Sequence, residues 1–153
     1  MLKIRHIKQE DNAVVRNLIS SIMADEFVES TLSYSIDDLA NTYEQYSGNN
    51  EVFYVAEEAA GQIVGTVGIK SDTARTALLR RLFLKKEFRG KGYGSKLLKR
   101  ALEFCKKHGY KKVLFKGTDA MAAACKTCIK NGFNEKDILV LPHAKMFVLE
   151  LSI

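Results

Sequence analysis

The spacing of apolar and polar residues predicts that the chain begins with a strand and continues into a helix. The stretch of residues 2–7 alternates apolar and polar side chains over five positions, which is typical of a strand with one buried face. After the acidic pair Glu10 and Asp11, apolar residues recur at helical spacing. These apolar positions are Val14, Val15, Leu18, Ile19, Ile22 and Met23.

A second helix and three strands are predicted in the next segment. Ser35 and Asp38 form a capping pair for a helix that begins at Ser35 and ends in the turn formers of residues 47–50. Alternation and turn signals then predict strands at Val52–Glu57, Gln62–Ile69 and Ala77–Leu84. Gly65 and Gly68 indicate bulges or a close backbone approach in the middle strand.

The remaining segment predicts a long amphipathic helix that ends at Gly109, a left-handed cap. A short strand, a helix and a final alternating strand follow at Val113–Lys116, Ala120–Asn131 and Ala144–Leu151. We therefore expect an α+β fold with a mixed, mostly antiparallel central sheet and helices on both faces. No linker or repeat interrupts the sequence, so residues 1–153 are expected to form one domain.

Composition excludes several classes of protein. Of the 153 residues, 46% are hydrophobic, 27% are charged and only one is proline, which is typical of a globular domain. No apolar run approaches the ~20 residues that span a bilayer, and the start of the chain lacks a signal-peptide pattern. Three cysteines cannot form a closed disulfide framework. We therefore expect a cytoplasmic protein that does not bind membranes.

Positive charge is concentrated in one third of the chain. Residues 80–112 contain 13 Lys and Arg against 2 Asp and Glu, whereas residues 1–79 contain 6 against 12. This asymmetry favours a localised anionic partner, although a solvated lysine-rich helix has the same composition. The glycine pattern inside the basic segment distinguishes these two interpretations.

A glycine-rich stretch lies between the third predicted strand and the long helix. Gly90, Gly92 and Gly94 alternate there, so successive backbone N–H groups can point into one concavity at the positive end of the helix dipole. Two other nucleotide motifs do not fit. A dinucleotide fingerprint that starts at Gly90 needs glycine at Ser95, and a Walker A loop needs glycine at Lys85. The stretch is therefore suited to an anion such as pyrophosphate, without nucleotide hydrolysis.

The segment Arg89-Gly90-Lys91-Gly92-Tyr93-Gly94 resembles the Arg/Gln-x-x-Gly-x-Gly/Ala signature of the GCN5-related N-acetyltransferase (GNAT) superfamily, which binds acetyl-coenzyme A. The resemblance extends to the first strand, the hairpin, the order of elements and the late pair Gly132-Phe133. It implies an acetyl-CoA-dependent N-acetyltransferase. The cofactor-binding residues that it implies are Leu82, Phe83, Leu84, Arg89, Gly90, Lys91, Gly92, Tyr93, Gly94 and Ser95.

Within this resemblance, Leu82 and Leu84 lie on the strand that splays from its neighbour. Their backbone groups would bond the pantetheine arm and the acetyl carbonyl, and the amides from Arg89 to Ser95 would cradle the pyrophosphate. An ordinary glycine-rich turn into a basic helix is the alternative structural interpretation.

The resemblance also indicates where catalytic groups would lie. A tyrosine that often protonates the leaving thiolate is replaced by Cys128, and a glutamate that many relatives carry is replaced by Leu78. Carboxylates of the acceptor loop would attract a cationic amine or act as a base, and Glu26 is our candidate among Asp25, Glu26 and Glu29. Both candidates, Cys128 and Glu26, have structural alternatives: a core thiol and a solvated helix end.

The pair Cys125 and Cys128 has the spacing of a redox or zinc motif but lacks a second ligand pair, and His6, His108 and His143 show no ligand spacing. We therefore expect no metal.

Three functions remain as hypotheses. The first is an acetyl-CoA-dependent N-acetyltransferase that acts on a primary amine of a small molecule or peptide by direct attack. The second is a non-catalytic acyl-CoA-binding or sensing domain, favoured by Leu78 and Cys128. The third, a nucleic-acid-binding module, lacks interleaved aromatic residues or a known motif, so we expect no nucleic acid partner. A homodimer is compatible with the resemblance.

Overall fold

The elements of the fold form one mixed sheet with helices packed against it. The computed structural model describes residues 2–26, 37–142 and 145–153. The helices and strands of these residues are β1 (Lys3–His6), α1 (Asn12–Glu26), α2 (Thr42–Gln45), β2 (Val52–Glu57), β3 (Ile63–Ser71), β4 (Thr76–Leu84), α3 (Tyr93–Lys107), β5 (Lys112–Thr118), α4 (Ala122–Lys130), β6 (Asn134–Val140) and β7 (Lys145–Ser152). Short 3-10 turns cover Gln9–Asp11, Asp37–Leu39, Lys86–Phe88 and Asp119–Met121.

The strand order is β1-β2-β3-β4-β5-β7-β6. Neighbouring strands pair antiparallel except β4 and β5, which are parallel. A parallel pair needs a long crossover connection, and α3 provides it. The predicted α+β class, with a mostly antiparallel sheet between helices, is confirmed.

Two glycines of β3 show that both faces of the sheet are covered. A Cβ atom at Gly65 would lie 2.9 Å from Leu97 Cδ1 of α3, and one at Gly68 would lie 2.8 Å from Tyr46 Cε2, next to α2. Residues three apart on a strand point to opposite faces, so α3 covers one face and the region around α2 covers the other. Both positions are sites of close approach, as the sequence predicted.

The core lies between these helices and the sheet. Its largest fully buried side chains include Ile19 of α1, Phe53 of β2, Leu97 of α3 and Phe115 of β5. The apolar positions predicted for the first helix are all buried except Val14, which is 48% exposed.

The second predicted helix is much shorter than expected. Ser35, its predicted first residue, lies outside the described residues, and α2 begins only at Thr42. Its N-cap is Asn41, whose side-chain oxygen accepts a hydrogen bond from the Glu44 N–H at 3.4 Å. Asp38, which the sequence suggested as a capping residue, is buried instead and bonded to another part of the chain.

The sequence did not predict strand β6. All seven of its residues are exposed, so the strand lacks the alternation of buried and exposed positions that marks a half-buried strand. It is held by antiparallel pairing with β7. The final strand was predicted at Ala144–Leu151; β7 covers Lys145–Ser152, and Ala144 lies outside the described residues.

Candidate functional site

A gap opens in the sheet where β4 and β5 separate. Their parallel pairing runs from Thr76 opposite Lys112 to Leu79 opposite Phe115. Beyond that point β4 stays paired with β3 as far as Leu84, while β5 stays paired with β7 as far as Thr118. The backbone edges of β4 and β5 that face each other in this region are therefore not used by the sheet.

Backbone hydrogen bonds show which residues of β4 face this gap. The Lys85 N–H donates to the Val64 carbonyl at 2.8 Å, and Phe83 lies opposite Thr66. Since backbone groups alternate between the two edges of a strand, those of Leu82 and Leu84 point away from β3 and toward the gap. The buried Phe83 contributes its backbone to the pairing with β3. The Leu84 carbonyl accepts a hydrogen bond from Arg89 Nε at 3.0 Å.

The glycine-rich stretch forms a tight loop into α3. Gly90 and Gly92 have φ angles of 78° and 81°, which L side chains rarely adopt, and Gly92 is the N-cap of α3. A Cβ atom on either glycine would meet no other atom within 4 Å, so the loop surface is open on that side. An open loop surface at the N-terminus of a 15-residue helix is suited to a phosphate group.

The first turn of α3 is held against α4. Asn131 Nδ2 donates to Ser95 Oγ at 3.1 Å, and a Cβ atom at Gly94 would lie 3.5 Å from Thr127 Oγ1. Tyr93 is partly exposed at the start of the helix, and Lys96 Nζ lies 5.7 Å from its ring centroid. The exposed Lys91 adds a positive charge on the loop, with its Nζ 5.6 Å from the ring centroid of Phe88. One side of the loop is thus held by the contact between α3 and α4, and the other side is exposed and carries positive charge.

Two residues that the sequence assigned to different halves of the site form an ion pair. The Arg89 guanidinium donates two hydrogen bonds to the Glu26 carboxylate, at 2.7 Å and 2.8 Å. This contact lowers the pKa of Glu26 and raises that of Arg89. The end of α1 is therefore joined to the glycine loop. Asp25 is exposed beside Glu26, and Glu29 lies outside the described residues.

The two cysteines of α4 have different surroundings. Cys128 is fully buried, and burial raises the pKa of its thiol, so the thiol keeps its proton at neutral pH. Cys125 is half-buried, and its Sγ lies 2.9 Å from where a Cβ atom of Gly117 would be. Gly117 belongs to the part of β5 beyond the last pairing with β4, so Cys125 is the cysteine that borders the diverging strand.

A buried polar cluster that the sequence did not predict lies around Arg81 of β4. Arg81 has only 6% of its surface exposed and pairs with Asp38, while the Tyr46 hydroxyl donates to Asp38 Oδ2 at 2.7 Å. Burial alone would raise the pKa of Asp38, but the hydrogen bonds from Arg81 and Tyr46 outweigh it and the pKa lies below its ordinary value. The only signal in the sequence is the polar pair Arg80 and Arg81 within an otherwise apolar strand.

Within residues 2–26, 37–142 and 145–153, no three His, Cys, Asp or Glu side chains come together as ligands for a metal ion, and His143 lies outside these ranges. None of the helices in the same ranges is long and apolar enough to cross a membrane.

Comparisons with known sequences identify relatives of this chain. It is 25% identical over 139 residues to the uncharacterized N-acetyltransferase YjgM of Escherichia coli K12, covering 88% of this chain and 83% of that protein. It is 30% identical over 95 residues to the Xenopus tropicalis protein named "Probable N-acetyltransferase camello", covering 61% of this chain. The chain spans 43% of the length of that Xenopus protein.

Solved structures share the fold over nearly the whole chain. A GNAT-family acetyltransferase from Staphylococcus aureus Mu50 superposes with a TM-score of 0.82 at 23% identity, over 97% of this chain and 98% of that one. The spermidine N-acetyltransferase of Vibrio cholerae, solved in complex with CoA and spermine, has a TM-score of 0.76 at 21% identity, over 99% and 95% of the two chains. A sequence model of the Acetyltransferase (GNAT) family matches residues 17–133. With the diverging strands and the glycine loop, this match shows that the chain belongs to the GNAT acetyltransferase family.

Proposed function

We propose that this protein is an acetyl-CoA-dependent N-acetyltransferase that transfers an acetyl group to a primary amine of a small molecule or peptide by direct attack. The observation that carries the proposal is the juxtaposition of two features. Leu82 and Leu84 present backbone groups to the gap between β4 and β5, and the left-handed glycines at the start of α3 lie a few residues further along the chain.

The residues present fit this cosubstrate. The open loop surface around Gly90 and Gly92 supports binding of the pyrophosphate by loop amides from Gly90 to Ser95, assisted by the charge of Lys91. The Arg89 N–H, which the resemblance also implied, already donates to the Lys86 carbonyl at 3.2 Å. The backbone edge of Leu82 and Leu84 supports hydrogen bonds to the pantetheine arm and the acetyl carbonyl. When bound, acetyl-CoA would supply an activated acetyl group as its thioester. The pairing of Phe83 with Thr66 holds this part of β4 against β3.

On the acceptor side, Glu26 is our candidate for holding the cationic amine. Its carboxylate stays ionised to low pH because of Arg89, which favours an electrostatic role over proton abstraction. Cys128 remains the candidate at the position of the family tyrosine, as a thiol that retains its proton. The cytoplasmic location and the homodimer also remain predictions.

A non-catalytic acyl-CoA-binding domain is the second candidate function. The observation that favours it is the environment of Cys128, which is fully buried and has a raised pKa and is therefore a poor proton donor. Release of CoA thiol from acetyl-CoA in the presence of a panel of amines distinguishes the two. Turnover with any amine supports the transferase, whereas tight acetyl-CoA binding without turnover across the panel supports the binding domain.

The cofactor site itself is tested by a pair of glycine variants. Gly92→Val should abolish acetyl-CoA binding in a calorimetric titration, because the loop needs left-handed backbone and close approach to phosphate. Gly109→Val is the matched control, since Gly109 has a φ of 79°, equally open surroundings and a position at the other end of α3. The control should lose stability to a similar degree and still bind. Equal affinity of both variants and the wild type would remove the loop from the site.

A further inference from the structure

The backbone of β4 is irregular at one residue beside the gap. Arg81 has a φ of 54°, and within the described part of the chain it is the single non-glycine residue with a positive φ. A long side chain at such a φ is strained and persists only where its surroundings enforce it. Gly68 of β3 lies opposite Arg80, but Thr66 lies opposite Phe83. Arg81 and Leu82 therefore share the single partner Val67, which is a β-bulge.

Three side chains hold this bulge from two directions. The Arg81 guanidinium donates to Asp38 through Nη2 at 2.6 Å and Nε at 3.1 Å, and Tyr46 donates to the same carboxylate at 2.7 Å. Arg81 and Asp38 are 6% and 7% exposed, so little water competes for these bonds. On the other side of the peptide unit, Thr66 Oγ1 donates to the Arg81 carbonyl at 2.8 Å. Both the side chain and the carbonyl of Arg81 are therefore held in place.

The bulge determines which amides face the gap. Below it, the Asp72 N–H donates to the Thr76 carbonyl at 2.9 Å, so even-numbered residues of β4 up to Arg80 face β3. Above it, Lys85 donates to Val64, so odd-numbered residues face β3 and Leu82 faces the gap. In a strand without the extra residue, the Leu82 N–H would point to β3 instead.

We propose that Arg81, Asp38 and Tyr46 are positioning residues that hold the β4 bulge so that the Leu82 N–H is aimed at the acetyl carbonyl of the bound thioester. This inference rests on the proposed function, because it assigns the carbonyl to the gap. A buried ion pair stabilises a fold no better than a well-packed apolar pair of the same size. The bidentate contact instead fixes one conformation of the strained residue Arg81, next to the point where β4 and β5 separate.

The test uses the infrared carbonyl band of acetyl-CoA labelled with ¹³C at the acetyl carbonyl. A hydrogen bond from a fixed amide lowers the frequency of this band relative to acetyl-CoA in solution. The wild-type protein should show the lowered band. Asp38→Asn and the milder Tyr46→Phe should return it toward the solution value, while the Kd for acetyl-CoA stays near that of the wild type because the phosphate loop is untouched. If Asp38→Asn does not fold, Tyr46→Phe carries the test.

Kinetics with an accepted amine provide the second readout. The KM for acetyl-CoA should change little, and kcat should fall by roughly tenfold or more, below the ~10²–10³-fold loss expected when a preorganised donor is removed outright. Asp11→Asn is the matched control, because Asp11 accepts a similar fork of hydrogen bonds from Arg5 on β1. It should leave both the band and kcat unchanged.

The outcomes separate this inference from the function on which it rests. If the variants bind acetyl-CoA and keep the band at the lowered wild-type frequency, or if Asp11→Asn moves the band equally, the positioning role is overturned and the transferase is not. If the wild-type protein binds no acetyl-CoA, the proposed function fails and the inference fails with it.

Discussion

Two arginine–aspartate pairs in this molecule are both bidentate but have different surroundings. Arg5 of β1 donates to Asp11 at 2.8 Å and 3.1 Å, and Arg81 of β4 donates to Asp38 at 2.6 Å and 3.1 Å. The arginine side chain is 18% exposed in the first pair and 5% exposed in the second. Arg5 donates through both terminal nitrogens and Arg81 through Nε and Nη2, and the exposure of the two arginines to water differs.

The backbone beneath the two pairs also differs. Arg5 lies opposite Val55 in a regular pairing at the edge of the sheet, whereas Arg81 has a positive φ inside a bulge. Asp11 also accepts a hydrogen bond from the Lys8 N–H at 2.7 Å, at the turn that leads into α1. The first pair therefore fastens a turn to a sheet edge, while the second enforces an irregular strand. The difference indicates that position, and not contact type, determines what an ion pair does.

Replacement of each arginine by methionine should give the largest difference between the pairs. Arg81→Met leaves Asp38 buried without its charged partner, which is expected to lower the free energy of unfolding by ~3–5 kcal/mol. Arg5→Met removes an arginine side chain that is 18% exposed and that contacts both Asp11 and Glu57. Asp11 keeps its hydrogen bond from the Lys8 N–H and water can reach the vacated position, so we expect a loss of about 1 kcal/mol. Urea denaturation of both variants measures these values. Equal losses would show that the difference in exposure has no energetic consequence.

The two aspartates should respond alike to acid. Burial opposes ionisation in each, but the hydrogen bonds from the arginines and their neighbours outweigh it, so both pKa values lie below the ordinary value in the folded protein. A carboxyl with a lowered folded pKa contributes stability above its unfolded pKa of about 3.9, and that stability is lost as the pH falls through the folded pKa.

The free energy of unfolding of the wild type should therefore decline steeply below about pH 4. Asp11→Asn and Asp38→Asn should each have a shallower decline over the same range, because one of the titrating groups is gone. Chemical denaturation at a series of pH values measures this slope. A slope in either variant as steep as that of the wild type would remove that aspartate from the acid response.

The smallest expected effect concerns the hydroxyl that only the second pair possesses. Tyr46→Phe removes one hydrogen bond to Asp38 and keeps the ring, so the free energy of unfolding should fall by about 1 kcal/mol. Burial raises the pKa of the Tyr46 hydroxyl, with the Asp38 charge adding to it, so this hydrogen bond persists through neutral pH. Denaturation midpoints at pH 7 measure the change. A variant as stable as the wild type would show that the hydroxyl contributes nothing to the pair.

Features that depend on local sequence were predictable. The strand Val52–Glu57 has the bounds that alternation and turn residues indicated, and the left-handed conformation of Gly109 follows from its place after a helix. The glycine loop was recognisable because the spacing of Gly90 and Gly92 reflects a backbone requirement of those positions.

Features that depend on distant contacts were not predictable. Asp38 and Arg81 are 43 positions apart, and no local pattern indicates that they meet. Strand β6 is formed by pairing with β7 and buries none of its residues, so its sequence carries no periodic signal. Of the helix expected from Ser35, the described residues form α-helix only at Thr42–Gln45, after a 3-10 turn at Asp37–Leu39. Asp38 bonds to β4 across the fold instead of capping a helix.

A crystal structure of the protein with acetyl-CoA bound tests the central claim most directly. The account predicts pyrophosphate oxygens on the amides of the loop from Gly90 to Ser95 and the acetyl carbonyl within hydrogen-bond distance of the Leu82 N–H, in the gap between β4 and β5. A cofactor bound away from the start of α3, or an acetyl group outside the gap, would contradict it.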